Sequence, residues 1–110
     1  MIFGIGTDIL KIERIKAIDS LDKFASKILS SNESILLEKL NDVKKINYLA
    51  KQFAGKEAIA KAIGRGITKD TKLKEIEILR DKNGKPTFNP VGSLKAYMDN
   101  LGIAKTHVSL

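Results

Sequence analysis

The sequence predicts an α+β domain in which a small, mostly antiparallel sheet packs on one long central helix. Apolar side chains recur every three or four residues over about 43–64, which is typical of a long amphipathic helix. The period then changes, because apolar and polar side chains alternate over 73–79 as in a half-buried strand. The chain has 110 residues and no repeat or linker, so we expect a single domain that spans 1–110.

One strand and three short helical segments are predicted before the long helix. Residues 2–9 have the pattern of a strand, and isoleucines spaced by three residues over 12–18 favour a turn of helix. Asp19 or Ser20 is expected to cap a second helical segment that runs to about Leu29. Its predicted inner face is Leu21, Phe24, Ala25 and Ile28.

Residues with capping chemistry mark the next two helices. Ser30 and Glu33 have the spacing of a capping box and begin the third short helix. Asn41 or Asp42 is expected to cap the long helix, which ends at Gly64. The apolar side chains of the first of these helices are Ile35, Leu36, Leu37 and Leu40. The apolar stripe of the second is Ile46, Leu49, Ala50, Phe53, Ala54, Ala58, Ile59, Ala62 and Ile63.

A β-hairpin is predicted after the long helix. In its first strand, over 73–79, apolar side chains alternate with Glu75 and Glu77, so we expect both glutamates to face solvent. The turn signal Asp-Lys-Asn-Gly follows, and residues 85–89 return as the second strand. Pro86 has no backbone N–H to donate, so this strand is expected at an edge of the sheet.

A helix and a final strand are predicted at the C-terminal end. Asn89 and Pro90 are expected to open the helix, and Gly102 to end it. Residues 105–110 alternate in polarity and are therefore predicted to form a strand. The predicted inner side chains of the helix are Val91, Leu94, Met98 and Leu101.

The composition excludes several kinds of site and compartment. Without cysteine the chain has no disulfide, thiolate metal site or cysteine nucleophile. One histidine is too few for a usual zinc site, and no Ser-His-Asp assembly can be defended. No apolar run approaches the roughly 20 residues of a membrane span, and no secretion signal is recognisable, so we expect a cytoplasmic protein and no membrane partner.

The charge balance predicts a polyanionic partner. Twenty Lys and Arg face thirteen Asp and Glu, giving a net charge of +7. Such a surface attracts nucleic acid, anionic lipid, phosphorylated small molecules or an acidic protein. A basic nucleic-acid-binding domain is the main alternative function. It is disfavoured because the lysines spread over many elements and only 5% of the residues are aromatic.

Two acidic residues are candidates for chemistry. Asp8 ends an apolar, glycine-bearing strand, where a carboxylate needs a cation or a metal, or caps the helical turn that follows. Glu57 and Lys61 share a helix face at the border of the apolar stripe. This spacing is more commonly a surface ion pair, although the small residues around it would let a ligand or another helix approach the backbone.

Two weaker signals lie near the C-terminal end. His107 near the end of a strand is more often a structural or surface residue than a functional one. The segment 83–86 is first of all a hairpin turn, although such a turn can also cradle a phosphate or an adenine.

Taken together, these segments resemble the bacterial holo-[acyl-carrier-protein] synthases. In chain order the matching segments are GIGTDI (4–9) with IERI (12–15), FAGKEA (53–58) with KA (61–62) and GRGI (64–67), EIEI (75–78), NGKP (83–86) and HVS (107–109). The resemblance extends over nearly the whole chain and implies a 4′-phosphopantetheinyl transferase-like fold.

The resemblance also implies an activity. These enzymes transfer the 4′-phosphopantetheine of coenzyme A to a serine of apo acyl carrier protein in fatty acid biosynthesis, and release adenosine 3′,5′-bisphosphate. By this resemblance Asp8 and Glu57 hold Mg²⁺ and act in catalysis with Lys61. Two carboxylates suffice for Mg²⁺ beside phosphates and water, and the cation neutralises charge on the phosphoryl oxygens. Either Glu57 or a Mg²⁺-bound water would accept the serine proton.

Binding residues follow from the same resemblance. Those implied for coenzyme A are Lys56, Lys61, Gly64, Gly84, Pro86, His107 and Ser109. Those implied for the acidic carrier protein are Arg14, Lys23, Phe24 and Lys27. Family members are typically homotrimers with active sites between subunits, so a homotrimer is expected.

The chain departs from the family pattern in two places. Relatives usually continue past the HVS segment with a further strand, whereas this chain stops at Leu110, so we expect that strand to be missing or shortened. Residues 11–14 contain one arginine where relatives often carry several basic residues, and lysine has less bidentate reach. A catalytically inert subunit with the same fold is a further alternative; it would form the trimer and modify no carrier.

Overall fold

The computed structural model describes residues 20–64, 72–103 and 105–108, and the fold is given for these residues. In chain order the elements are α1 (Leu21–Ile28), α2 (Ser31–Glu38), α3 (Asp42–Ile63), a 3₁₀ turn (Leu73–Glu75), β1 (Ile76–Arg80), β2 (Pro86–Pro90) and α4 (Gly92–Asn100). The α+β class and the long central helix are therefore confirmed. The predicted strand over 2–9 and helical turn over 12–18 lie outside the described residues.

Side-chain caps begin the first three helices, as the sequence predicts. The Ser20 hydroxyl and the Asn41 amide oxygen each accept a backbone N–H from the first turn of α1 and α3. Ser30 and Glu33 form the complete capping box, since each side chain accepts the backbone N–H of the other. Gly64 ends α3 with a φ of 89°, in the left-handed region that favours glycine.

The two strands form an antiparallel hairpin. Ile78 lies opposite Phe88, and Arg80 opposite Pro86. Asp81 Oδ1 accepts two backbone N–H groups of the connecting turn, at 2.9 and 3.0 Å. The predicted hairpin is confirmed, with its second strand one residue later than expected. Its first strand begins at Ile76, because 73–75, predicted as the start of that strand, form the 3₁₀ turn.

The buried apolar side chains form two clusters that share α3. The first joins α1 to the N-terminal half of α3 through Ala25, Ile28, Leu29, Leu49 and Ala50. The second joins the C-terminal half of α3 to the hairpin and α4 through Ala60, Ile63, Ile76, Ile78, Leu94 and Met98. The sheet thus packs on the second half of the central helix, and this half positions the candidate site.

The buried face of α2 differs from the expectation. Ile35 is 54% exposed and Leu36 is 38% exposed, although both are among the apolar side chains of this helix. The buried side chain of this helix is the carboxylate of Glu33, which is 0% exposed. An acid therefore occupies the position where periodicity alone suggests an aliphatic side chain.

The C-terminal part also differs from the expectation. Pro90 finishes β2 instead of opening a helix, and α4 begins at Gly92. Val91 and Leu101, predicted to be inside, are exposed. The predicted final strand is wrong over 105–108, which have no regular secondary structure.

The start of α4 is fixed by an acidic side chain from the 3₁₀ turn. Glu75 accepts the Ser93 backbone N–H at 3.1 Å and the Ser93 hydroxyl at 2.8 Å. Gly92 has a φ of 61°, and a Cβ at this position would overlap the Glu75 carboxylate. Glu75 therefore caps α4 instead of facing solvent.

Within the described part of the chain, no helix is long and apolar enough to cross a membrane.

Candidate functional site

A buried ion pair lies about two-thirds of the way along the central helix. Lys56 Nζ is 2.6 Å from Glu33 Oε1, and both side chains are fully buried. Lys56 Nζ also donates to the backbone oxygens of Ile28 at 2.6 Å and Leu73 at 2.9 Å. Each of the three hydrogens of the ammonium group thus has an acceptor inside the protein.

The Glu33 carboxylate also has hydrogen-bond donors at both of its oxygens. Besides Lys56, it accepts the Ser30 backbone N–H at 2.8 Å and the Ile78 backbone N–H at 3.1 Å. The Gln52 amide donates to the same carboxylate and, at 3.0 Å, to the Ile78 carbonyl oxygen. These hydrogen bonds offset part of the cost of burying two charges, and they join α2 and α3 to β1.

Burial changes the acid–base properties of two groups in this region. It lowers the pKa of Lys56, and the neighbouring Glu33 carboxylate opposes this effect without cancelling it. Burial also raises the pKa of Tyr48, and the charge of Glu33 acts in the same direction. The Lys56–Glu33 pair is therefore held by its geometry in a site that disfavours an isolated charge.

A second buried carboxylate lies beside the pair. Glu77 is 7% exposed, although alternation along β1 predicted that it faces solvent. It accepts the Ser30 hydroxyl at 2.5 Å and the Asn32 amide at 3.3 Å. The N-terminus of α2 covers this face of the strand, so Glu77 belongs to the same polar cluster as Glu33.

The structure contradicts the expectation that Lys56 binds coenzyme A. Its side chain has no exposed surface, and its three N–H donors are used by Glu33 and two backbone carbonyls. The sequence patterns did not indicate that Glu33 and Gln52 belong to this cluster. The available signal was the pair of polar residues, Gln52 and Lys56, that interrupts the apolar pattern of α3 at helical spacing.

The last part of α3 carries the other site residues that were predicted in the FAGKEA segment and the KA and GRGI segments that follow it. Glu57 is half-buried, whereas Lys61 and Gly64 are exposed. Glu57 and Lys61 are one turn apart on the same face, and Gly64 follows at the C-cap, where its N–H donates to the Lys61 carbonyl at 3.0 Å. A half-buried carboxylate and an exposed ammonium group therefore lie on one face near the end of α3. The ammonium group can pair with a phosphate, whereas the carboxylate can face a phosphate only with a cation between them.

Three of the predicted site residues lie outside the described part of the chain: Asp8, Arg14 and Ser109. The pairing of Asp8 with Glu57 accordingly stays a prediction. Among the residues that the structure describes, no group of three histidine, aspartate or glutamate side chains could hold a metal ion. Mg²⁺ usually takes one or two carboxylates beside phosphate and water, so the half-buried Glu57 fits its donor chemistry.

The remaining coenzyme A candidates lie in two other segments. Gly84 is exposed in the hairpin turn, with its carbonyl accepting Arg80 Nη1 at 2.8 Å. Pro86 is half-buried as the first residue of β2, and His107 is exposed in the segment after α4. Their contact with a nucleotide stays a prediction.

The carrier-binding candidates of α1 differ among themselves. Lys23 and Lys27 are exposed and one turn apart, so they form a basic strip on the outer face of the helix. Phe24 is half-buried instead, with its ring centroid 5.5 Å from that of Phe53 on α3. A large part of the Phe24 ring therefore packs between helices, whereas the two lysines are available to a partner.

Comparison with known proteins defines the class to which this fold and this helix end belong. Residues 4–107 match the 4′-phosphopantetheinyl transferase superfamily. The match covers the GIGTDI segment (4–9), the long helix with Glu57 and Lys61, the hairpin, and the segment up to His107.

Individual relatives narrow the class. A holo-[acyl-carrier-protein] synthase of Orientia tsutsugamushi (strain Ikeda) is 39% identical, with 100% of this chain and 86% of the relative covered. The crystal structure of the synthase from Neisseria meningitidis superposes with a TM-score of 0.88 at 38% identity, over 99% of this chain and 87% of the other. The structure of the synthase from Bacillus anthracis str. Ames in complex with CoA (3′,5′-ADP) gives a TM-score of 0.77 at 39% identity, over 84% and 78%. The chain therefore belongs to the holo-[acyl-carrier-protein] synthase family of the 4′-phosphopantetheinyl transferase superfamily.

Proposed function

We propose that this protein is a Mg²⁺-dependent holo-[acyl-carrier-protein] synthase of fatty acid biosynthesis that acts in the cytoplasm. It transfers 4′-phosphopantetheine from coenzyme A to a serine of apo acyl carrier protein and releases adenosine 3′,5′-bisphosphate. The observation that carries this proposal is the agreement along nearly the whole chain with proteins named for this activity, one of them solved with coenzyme A.

The reaction forms one bond at phosphorus and breaks another. The serine oxygen forms a bond to the phosphorus that bears pantetheine, and the bond from that phosphorus to the bridging oxygen breaks. Adenosine 3′,5′-bisphosphate leaves with the bonding electron pair. Negative charge on the phosphoryl oxygens must be stabilised during transfer, so most of the catalytic work is positioning and electrostatics.

Glu57, Lys61 and Asp8 supply these effects in the proposed site. Glu57 and Asp8 would hold Mg²⁺, whose charge, when it is bound, neutralises the diphosphate oxygens. Lys61 lies one helical turn beyond Glu57 and is exposed, so its ammonium group adds positive charge for the same diphosphate. Glu57 also remains a candidate acceptor of the serine proton, because a half-buried carboxylate at a helix end can take part in proton transfer.

Both substrates fit the charge of the protein. Coenzyme A carries several phosphate charges, and the carrier is acidic, whereas this chain has a net charge of +7. We assign Gly64, Gly84, Pro86, His107 and Ser109 to coenzyme A binding. The exposed lysines of α1, Lys23 and Lys27, are assigned to the carrier together with Arg14, and Phe24 contributes the part of its ring that is not packed on Phe53.

We also propose a homotrimer with active sites between subunits. Exposed aliphatic side chains on α2 and at the start of α3, such as Ile35 and Val43, are available to an interface. An assembled site would combine the helix end of one subunit with basic residues of another.

Mass spectrometry of the carrier tests the proposal. Apo acyl carrier protein incubated with this protein, coenzyme A and Mg²⁺ should gain the mass of one phosphopantetheine. Asp8→Asn and Glu57→Gln should abolish the gain, whereas Glu38→Gln, at an exposed acid of α2, should retain it. Failure of the wild-type protein to modify several different carriers would contradict the proposed function.

A further inference from the structure

The buried and accessible faces at the end of α3 are tied to each other by helix geometry. Lys56, Ala60 and Ile63 follow one another at spacings of four and three residues and are all buried. Glu57 and Lys61 come one position later in each turn, so they lie about 100° around the helix axis. Any rotation of α3 that displaces Lys56 would therefore turn Glu57 and Lys61 by the same angle.

The Lys56 ammonium group fixes this rotation from three sides. Its hydrogen bonds reach Glu33 on α2, the Ile28 carbonyl at the end of α1, and the Leu73 carbonyl in the 3₁₀ turn. These acceptors are 23, 28 and 17 residues away in sequence, respectively, so they hold the helix against three separate segments. The aliphatic contacts of the two core clusters are less directional than these hydrogen bonds.

We propose that Lys56, oriented by Glu33, is a positioning residue for transfer: it sets the rotation of α3 and so directs Glu57 and Lys61 toward the metal and the diphosphate. This inference rests on the proposed function. Lys56 acts through the helix backbone, because its enclosed side chain has no surface with which to touch a substrate.

A purely structural role for the pair predicts a different set of effects. If Lys56 contributed only stability, any buried substitution of equal cost would change the kinetics equally. Leu94 provides the matched control, since it is 1% exposed in the second cluster and lies on α4, which supplies none of the hydrogen bonds described for the ion pair. Lys51, an exposed lysine on α3, controls for the loss of one positive charge from the same helix.

The experiment compares Lys56→Met, Leu94→Ala and Lys51→Met with the wild-type protein. Steady-state kinetics are measured at a temperature where circular dichroism shows every variant folded. In Lys56→Met, we expect kcat/KM for coenzyme A to fall about tenfold to a hundredfold, because small misplacements of catalytic groups have effects of this size. The Mg²⁺ concentration for half-maximal rate should rise in the same variant. Leu94→Ala and Lys51→Met should keep both wild-type values.

Two results would overturn the inference. One is a folded Lys56→Met variant with wild-type kinetics and Mg²⁺ dependence, and the other is an equal change in Leu94→Ala. Should Lys56→Met fail to fold, the double variant Glu33→Gln with Lys56→Met removes both charges, and the same kinetic predictions apply to it.

Amide hydrogen exchange tests positioning without any activity. Leu94 packs in the same cluster as Ile63, so the discriminating amides are those next to Lys56. The amides of Glu57 and Ala58 should exchange faster in Lys56→Met than in Leu94→Ala, since the ammonium group no longer holds this turn of α3. Equal exchange in the two variants would contradict a positioning role. A wild-type protein that modifies no carrier would count against the proposed function instead, so the two failures are distinguishable.

Discussion

Removal of the Lys56 ammonium group should destabilise the fold strongly. In Lys56→Met the Glu33 carboxylate stays fully buried and keeps the donors Ser30, Gln52 and Ile78, but it loses its only cation in the described cluster. Breaking one side of a buried ion pair costs about 3–5 kcal/mol, because the other charge is left uncompensated. Methionine has similar length and flexibility, so a large cavity does not add to this cost.

The size of this loss can be judged against the whole domain. Native domains are stable by about 5–15 kcal/mol, so Lys56→Met removes a large fraction of the free energy of unfolding. The carbonyls of Ile28 and Leu73 also lose a donor, which places the effect toward the upper end of the range.

Urea unfolding followed by circular dichroism measures the effect. The midpoint should fall while the slope with urea stays unchanged, since the surface exposed on unfolding is similar. Protein concentration must be kept constant, because association would stabilise the folded state. In a double-mutant cycle, Glu33→Gln with Lys56→Met should cost about 0.5–3 kcal/mol less than the sum of the single variants. A loss below about 1 kcal/mol for Lys56→Met, or strict additivity, would refute the reasoning.

Three further predictions concern the helix caps and the two substrates. Gly92→Ala should lower the free energy of unfolding by about 1–3 kcal/mol in urea unfolding, since it combines a left-handed φ with displacement of a capping carboxylate, whereas Gly102→Ala should cost less. Coenzyme A should bind in calorimetry only when Mg²⁺ is present, and Glu57→Gln should abolish this metal-dependent binding. Lys23 and Lys27 lie on α1 and are assigned to the carrier, not to coenzyme A. Reversal of their charge should therefore raise KM for the carrier in steady-state assays and leave KM for coenzyme A unchanged.

The outcomes that would contradict these predictions are equally specific. Equal losses in the two glycine variants would show that the capping carboxylate is not displaced, since a Cβ at Gly102 meets no atom of the described residues within 4 Å. Metal-independent binding of coenzyme A that only weakens with salt would indicate a general polyanion surface instead. Charge reversal at Lys39, an exposed lysine that directly follows α2, is the control for the carrier experiment, and an equal effect there would remove α1 as the docking surface.

Local chemistry explains why much of the fold can be predicted from the sequence. The caps at Ser20, Ser30 and Asn41 depend on residues within one turn, and the structure confirms all three. The hairpin turn depends on Asp81 and the next few residues in the same way. Glu57 and Lys61 could likewise be placed on one helix face, because their spacing follows from helix geometry.

The polar cluster could not be predicted, because its contacts join distant parts of the chain. Glu33 meets the backbone of Ile78, which is 45 residues away, and nothing in the capping-box spacing indicates a second role. Glu77 has the same character: alternation along β1 directs it outward, and only the packing of α2 on the strand buries it. Lys56 was assigned to a ligand from the motif, whereas the structure gives its charge an internal partner.

The measurement that tests the central claim most directly follows both products of one reaction. Apo acyl carrier protein, coenzyme A and Mg²⁺ are mixed with the protein, and the modified carrier and the free adenosine 3′,5′-bisphosphate are quantified over time. Transfer predicts that the two products appear in equal amounts and that Glu57→Gln forms neither. Release of the nucleotide without modification of the carrier, or no reaction with an intact wild-type protein, would contradict the proposed transferase activity.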